Sequence, residues 1–241
     1  MNFVFDVDGT LTPSRSKIDS YFEQFFIDFC LRHDVYLVTG SDLPKTQEQL
    51  GVDVFRSVRG IFACSGNQYI KAAYLVQSIK IAPAFEYVYQ NDFELTEDEE
   101  TALEEELKRS GFSVRTGNHI EKRIGMVNFS IVGRNASWDE RKLYVVWDNA
   151  INERAEICKR LNSKFPRLEC VIGGETGIDI SLIGHNKSQV RKHLEGSITF
   201  FGDRCEPGGN DYPLAKISDV VYNVKDWQET EYILRMKYAK V

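Results

Sequence analysis

Long apolar runs, paired cysteines and stretches of a single charge sign are all missing from this 241-residue chain. No apolar stretch approaches the roughly 18 residues needed to cross a bilayer, which excludes a helical membrane span. Met1 leads directly into a strand-like segment, without the basic start and apolar run of a secretory leader, so a cytoplasmic location is expected. The five cysteines, Cys30, Cys64, Cys158, Cys170 and Cys205, are scattered, with no C-x-x-C pair and only four histidines to join them. That argues against a zinc cluster or a disulfide framework and for reduced thiols. There is also no basic run. With 30 Lys and Arg against 36 Asp and Glu, a formal charge of −6 and a pI near 5.4, neither nucleic acid nor an anionic membrane surface is expected as a partner. A compact positive pocket still fits inside such an acidic total. Internal repeats and low-complexity linkers are absent too.

What is present is an ordinary globular composition, 42% apolar and 27% charged, long enough for one large domain or two small ones. The first forty residues alternate strand and helix. Residues 2–7 form an apolar run ending in acids and Gly9, and residues 18–31 space Tyr21, Phe22, Phe25, Phe26 and Phe29 as a helix does. A strand over 35–38, a helix over 44–50 and a strand near 61–64 continue a βαβ rhythm, which builds a parallel sheet covered on both faces. That rhythm returns at the end, with strands over 197–201 and 219–222 and helices over 211–217 and 226–238. Between them the pattern changes. Thr96 and Glu99 form a capping box, Ser137 opens another helix with Asp139 and Glu140, and a further helix carries Ile157, Cys158, Leu161 and Phe165 on its inner face. Strand-like runs fall at 119–123, 126–132, 167–173 and 177–183. The predicted fold class is α/β: a Rossmann-like parallel-sheet core from residues 1–81 and 184–241, with an inserted α+β cap over 82–183.

The most informative segment runs from Phe5 to Thr12. Residues two apart in an extended chain share a face, so Asp6 and Asp8 both point into one site at the C-terminal end of the first strand, where open α/β sheets bind ligands. Two carboxylates so close repel each other. Mg²⁺ would offset that repulsion and leave one acid as nucleophile and the other free to exchange a proton. At the end of the second strand, Thr39 and Ser41 both offer a hydroxyl to a phosphoryl oxygen. Lys187 would neutralise phosphoryl charge, and Asp203, ahead of the Gly-rich Pro207 to Asp211 loop, would add a third carboxylate for the metal.

In that order these motifs resemble the haloacid dehalogenase superfamily of phosphotransferases. Over nearly the whole length the chain is similar to its eukaryotic-type phosphomannomutase family, through DVDGTLTPSR, TGSDLPKTQEQLG, IEKRIGMVNFSIVGR and FFGDRCEPGGND. The resemblance implies that Asp6 is the phosphorylated nucleophile and Asp8 the acid and base. It implies that Asp6, the backbone carbonyl of Asp8, and Asp203 hold Mg²⁺. Arg123, Arg134 and Arg141 fall where the family clamps the distal phosphate of a small phosphosugar, and Asp179 where it contacts sugar hydroxyls; guanidinium groups suit phosphate oxygens on chemical grounds as well. The family pattern is broken at Ile124, at Gly177, at the Ala63 to Gly66 turn and at Thr39, mostly around sugar recognition. The expected activity is Mg²⁺-dependent phosphomannomutase through an aspartyl-phosphate on Asp6, with a sugar-phosphate phosphatase on the same fold as the alternative. A purely binding protein on a degenerate fold has no evident use for Asp6, Asp8, Lys187 and Asp203 together. The resemblance also implies a homodimer formed through the cap.

Overall fold

A computed structural model describes residues 1–77 and 80–238. Strand β1 (Asn2–Phe5) lies between β2 (Asp34–Val38) and β10 (Ile198–Gly202), parallel to both, with Asn2 opposite Ile198 on one side and Asp34 on the other. The sheet continues through β3 (Gly60–Ala63) on one side and β11 (Val220–Asn223) on the other, all parallel. A long antiparallel hairpin, β4 (Gln68–Gln77) and β5 (Lys80–Gln90), completes the order β11-β10-β1-β2-β3-β4-β5. Both faces of β1 are buried, which is why it reads as an unbroken apolar run. Phe3 and Phe5 pack with Phe22, Phe26 and Phe29 of helix α1 (Ser20–Arg32). Val4 points the other way, into a cluster with Val38, Phe62, Phe200 and Leu214. Helix α2 (Leu43–Ser57), capped by Asp42, connects β2 to β3.

The second sheet is antiparallel, in the order β6-β7-β9-β8, from β6 (Ile120–Arg123), β7 (Met126–Phe129), β8 (Leu168–Gly173) and β9 (Gly177–Leu182). Helices α3 (Glu97–Arg109), α4 (Trp138–Ile151) and α5 (Glu153–Lys164) share one core with it, built on Leu103, Phe129, Tyr144, Ile157, Leu161 and Ile180. The capping box predicted at Thr96 and Glu99 forms, and the helix start predicted at Ser137 is closed by a second box with Glu140. A short α6 (Tyr212–Ala215) and a closing α7 (Trp227–Lys237) finish the chain.

One feature differs from the sequence expectation. The expected first boundary at residue 82 falls inside β5, whose pairing with β4 keeps it on the large sheet. The chain passes between the sheets over 91–96 and returns over 183–186. Lys187 opens a short 3-10 helix, Lys187–Lys192.

The two sheets meet at several points. β8 is an edge strand, and the outward backbone of Ile172 pairs with the large-sheet loop that follows β10: its N–H donates to Gly208 O at 3.0 Å, and Asn210 N–H donates to Ile172 O at 3.2 Å. Arg204 Nη2 donates to Gly174 O at 3.3 Å. At the crossing segments, Asn67 Nδ2 donates to His185 O at 3.1 Å, while Asn91 Nδ2 donates to Asn67 Oδ1 at 3.0 Å.

Candidate active site

The parallel strands end together at one cleft between the two sheets. β1 delivers Asp6 to its floor, and a tight turn follows in which the N–H groups of Leu11 and Thr12 return to Val7 O. Gly9 in that turn has φ +83°, and a Cβ there would stand 2.6 Å from Asp203 Oδ2. Glycine is therefore required twice over, by the left-handed backbone and by the approach of Asp203. The turn also orients Asp8, whose Oδ1 accepts from Arg15 N at 2.6 Å and from Gln49 Nε2 at 3.0 Å.

Beneath the floor lies a buried ionic knot. Lys187 has no exposed surface, and its Nζ donates to Asp6 Oδ1 and to Asp211 Oδ1, each at 2.6 Å. Burial pushes the Asp6 carboxyl up; the Lys187 ammonium opposes this, while Asp211 and Asp203 add to it. Asp203 is pushed up to about 7 by burial and by the charge on Asp211. Against its own burial, Lys187 is held protonated by Asp211 and Asp6. Among the described residues, Asp6, Asp203 and Asp211 each place a carboxylate oxygen within 4.8 Å of the others. One ammonium against three carboxylates leaves net negative charge at a set of hard oxygen donors, which is the chemistry that takes a small divalent cation. The Asp8 carboxylate is not in this cluster; it faces Arg15 and Gln49. Asp211, inside the PGGND loop, is the third acid that sequence reasoning passed over.

Of the two candidate hydroxyls, Ser41 lines the cleft. Thr39 stands behind it, its Oγ1 accepting from Ser41 N at 3.1 Å, so it shapes the loop that presents Ser41.

The opposite side of the cleft belongs to the small sheet. Arg123 on β6, Arg134 after β7 and Arg141 on α4 converge there with Asp179 on β9. Glu121 binds two of them, accepting from Arg123 Nε at 3.1 Å and from Arg134 Nε. Burial works against its charge, yet the two guanidinium groups hold Glu121 down to about 2. Arg141 is only 5% exposed, and its Nη2 donates to Glu175 Oε2 at 2.8 Å. Asp179 Oδ1 accepts from Asn128 Nδ2 at 2.7 Å. A Cβ at Gly177 would stand 2.6 Å from that same Asn128 nitrogen.

Two further cations line the cleft and were not singled out in the sequence, Arg15 and Lys45. Burial and the neighbouring Arg134 and Arg141 pull Arg15 down to about 9. Burial, with Arg15 and Arg134, pulls Lys45 down to about 8. Arg15 closes the DVDGTLTPSR motif and Lys45 sits in the first turn of α2, so both lay within motifs already noted. Glu175 carried no signal at all. Three buried polar atoms of cleft residues have no partner: Arg141 Nη1, Asn128 Oδ1 and Asn210 Oδ1. Burying such atoms unsatisfied is costly: the Arg141 nitrogen is a donor that suits an anionic oxygen, while the two amide oxygens accept and suit a hydroxyl or another donor.

Comparison with known proteins agrees with this arrangement. The family described as "Eukaryotic phosphomannomutase" matches residues 22–239. A probable phosphomannomutase of Caenorhabditis elegans is 33% identical over 235 residues, covering 88% of this chain and 84% of that one. The phosphomannomutase of Drosophila melanogaster is 32% identical over 238 residues, covering 93% and 91%. Among solved structures, an IMP-bound, N-terminally truncated IMP-nucleotidase of Plasmodium falciparum superposes with a TM-score of 0.63 at 16% identity, over 97% of this chain and 67% of that one. A HAD subclass IIB sugar phosphatase superposes at 0.54 and 14% identity, over 97% of both. At these identities the structural likeness concerns the fold, a Rossmann-like core with an inserted cap.

Proposed function

The chain belongs to the eukaryotic phosphomannomutase family, and on that premise we propose that it interconverts mannose 6-phosphate and mannose 1-phosphate through a phosphorylated Asp6. The observation that carries this reading is a single cleft with a nucleophile-like carboxylate site on the core side and three arginines on the cap side. A phosphosugar bound at both ends has one anion for each.

In this reading phosphorylated Asp6 donates its phosphoryl group to the free hydroxyl of a hexose monophosphate while Asp8 accepts the hydroxyl proton. The resulting bisphosphate reverses its ends. Asp6 then attacks the other phosphorus, and Asp8 returns the proton to the sugar oxygen that leaves. Ser41 and Lys187 stabilise charge on the transferring group. Asp6, Asp203 and Asp211, with the backbone carbonyl of Asp8, would hold Mg²⁺. When bound, the ion supplies a positive charge that offsets the carboxylates and the phosphoryl oxygens. Arg123, Arg134 and Arg141 clamp the distal phosphate, with Arg15 and Lys45 beside them, and Asp179 takes sugar hydroxyls.

The cap, over about 91–186 by the course of the strands, closes on the core to exclude water, because water attack on the aspartyl-phosphate turns transfer into hydrolysis. The departures at Ile124 and Gly177, which border the sugar seat, favour one second reading, a sugar-phosphate phosphatase. No described helix is long and apolar enough to cross a membrane; a cytoplasmic location and a homodimer through the cap complete the proposal on the family resemblance.

Arg141→Ala tests the two-ended site. Losing a charge-assisted phosphate contact costs about 1.5 to 3 kcal/mol, or roughly ten- to a hundredfold in kcat/KM for a hexose phosphate. An aryl phosphate has no distal anion and is expected to lose far less. Equal losses on both substrates would show that Arg141 serves the fold or the core site instead.

A further inference from the structure

Each arginine of the clamp meets a carboxylate in the ligand-free cleft, but the two carboxylates are held differently. Glu121 is gripped by two guanidinium groups, which keep it charged and fixed. Glu175 has a single partner, Arg141 Nη2 at 2.8 Å, and its side chain is 31% exposed against 7% for Arg141. The pair leaves Arg141 Nη1 buried with nothing to bond. A carboxylate on one nitrogen of a fork that has another nitrogen free is incomplete satisfaction for a buried guanidinium.

The turn that carries Glu175 is fixed through its backbone. Arg154 Nη1 donates to Gly174 O at 3.0 Å and to Gly177 O at 3.2 Å, and Arg154 is itself anchored by Asp148. Arg204 holds Gly174 O from the core side. With both flanks pinned, the Glu175 side chain is the part free to rotate, and water lies within its reach.

We infer that Glu175 occupies the seat of the distal phosphate in the ligand-free enzyme and is exchanged for that phosphate when substrate binds. This rests on reading Arg141 as a distal-phosphate contact. A phosphate monoester dianion brings three oxygens and almost twice the charge of a carboxylate, so it engages Nη2 and the idle Nη1 together, and Glu175 turns to solvent. Until then Glu175 neutralises Arg141 among Arg15, Arg123 and Arg134, keeping the empty clamp assembled. Ligands with no strong acceptor at the distal end leave Glu175 in place. Glu175 is thus a specificity-determining residue, displaced by a ligand with a distal dianion and left in place by one without it.

The test is steady-state kinetics on mannose 1-phosphate with four proteins: wild type, Glu175→Gln, Arg141→Ala and the double variant. The amide keeps the size of Glu175 and removes the competing charge. Glu175→Gln is expected to lower KM about three- to tenfold, a range set by the partial exposure of the pair. The change is carried by KM rather than kcat, and it disappears in the Arg141→Ala background. A raised KM would mean that Glu175 positions Arg141 for the substrate, and an unchanged KM that the pair is a bystander; either overturns the inference. A fall of the same size without Arg141 would also overturn it, by reducing Glu175 to general repulsion. Should Arg141→Ala itself leave KM untouched, it is the clamp reading that fails, and the inference falls with it.

Discussion

Lys187 illustrates how little a residue reveals before its neighbours are in place. As a lysine ahead of a short helix it reads as a solvated charge, and only its order among the other motifs singled it out. In the fold it is fully buried and bonded to two carboxylates. Asp211 is the converse case. It stands in a loop rich in turn-forming residues, where an aspartate is ordinary, and only the folded loop turns it toward Asp6. Asp6 itself was legible because alternation along a strand is a local rule. Replacing it by Asn removes the attacking oxygen with almost no change in size, so Asp6→Asn is expected to abolish turnover while thermal unfolding stays cooperative. Retention of about a tenth of wild-type turnover would rule out Asp6 as the nucleophile. Lys45 gives a pH signature. Its ammonium is drawn down to about 8 in the ligand-free cleft, and a bound phosphate favours the charged form. Below that pH the cation is present and KM should be flat. Above it each binding event must first recover a proton, so KM for a sugar phosphate should rise, approaching tenfold per pH unit. In Lys45→Arg the rise should move to higher pH; the same break in that variant would assign it elsewhere.

Elements were legible in proportion to how local their signals are. The capping box at Thr96 and Glu99 depends on four consecutive residues and forms where the sequence places it, and the helix start at Ser137 falls where expected. The β4–β5 hairpin was not foreseen. Residues 68–90 contain no Asn-Gly or Asp-Gly turn, so the usual short-range hairpin signal is missing. Its omission is also what drew the expected boundary to residue 82. The edge of β8 offers a test of cap closure that spares the sheet. The N–H of Ile172 points away from β9 and reaches Gly208 O, so Ile172→Pro removes one bond between cap and core and none within the cap. One backbone hydrogen bond is worth about 1 kcal/mol, roughly fivefold in a partition. The ratio of inorganic phosphate released to phosphoryl transferred should rise by about that factor, beside some loss of cap stability because the Ile172 side chain packs against the cap core. An unaltered ratio would remove this contact from the closing step.

At the scale of the whole molecule, the chain's two ends build one sheet. β10 enters beside β1 in register, stacking Phe201 on Phe5 with ring centroids 4.8 Å apart. That brings Asp203, some two hundred residues downstream, to the turn after Asp6. The α/β rhythm at both ends made this closure readable, since parallel strands separated by an insertion still belong to one sheet. The pairing of Arg134 with Glu121 and of Arg141 with Glu175 was not readable, because it depends on how separate elements of the cap pack against one another. In the proposed reaction a phosphoryl group travels through Asp6 from one end of a sugar to the other. That transfer is tested most directly by phosphorus NMR of mannose 1-phosphate incubated with the protein, Mg²⁺ and a trace of hexose bisphosphate. A growing mannose 6-phosphate resonance with little inorganic phosphate, abolished by excess chelator, is the expected result. Inorganic phosphate accumulating alone, or conversion undiminished in excess chelator, would contradict it.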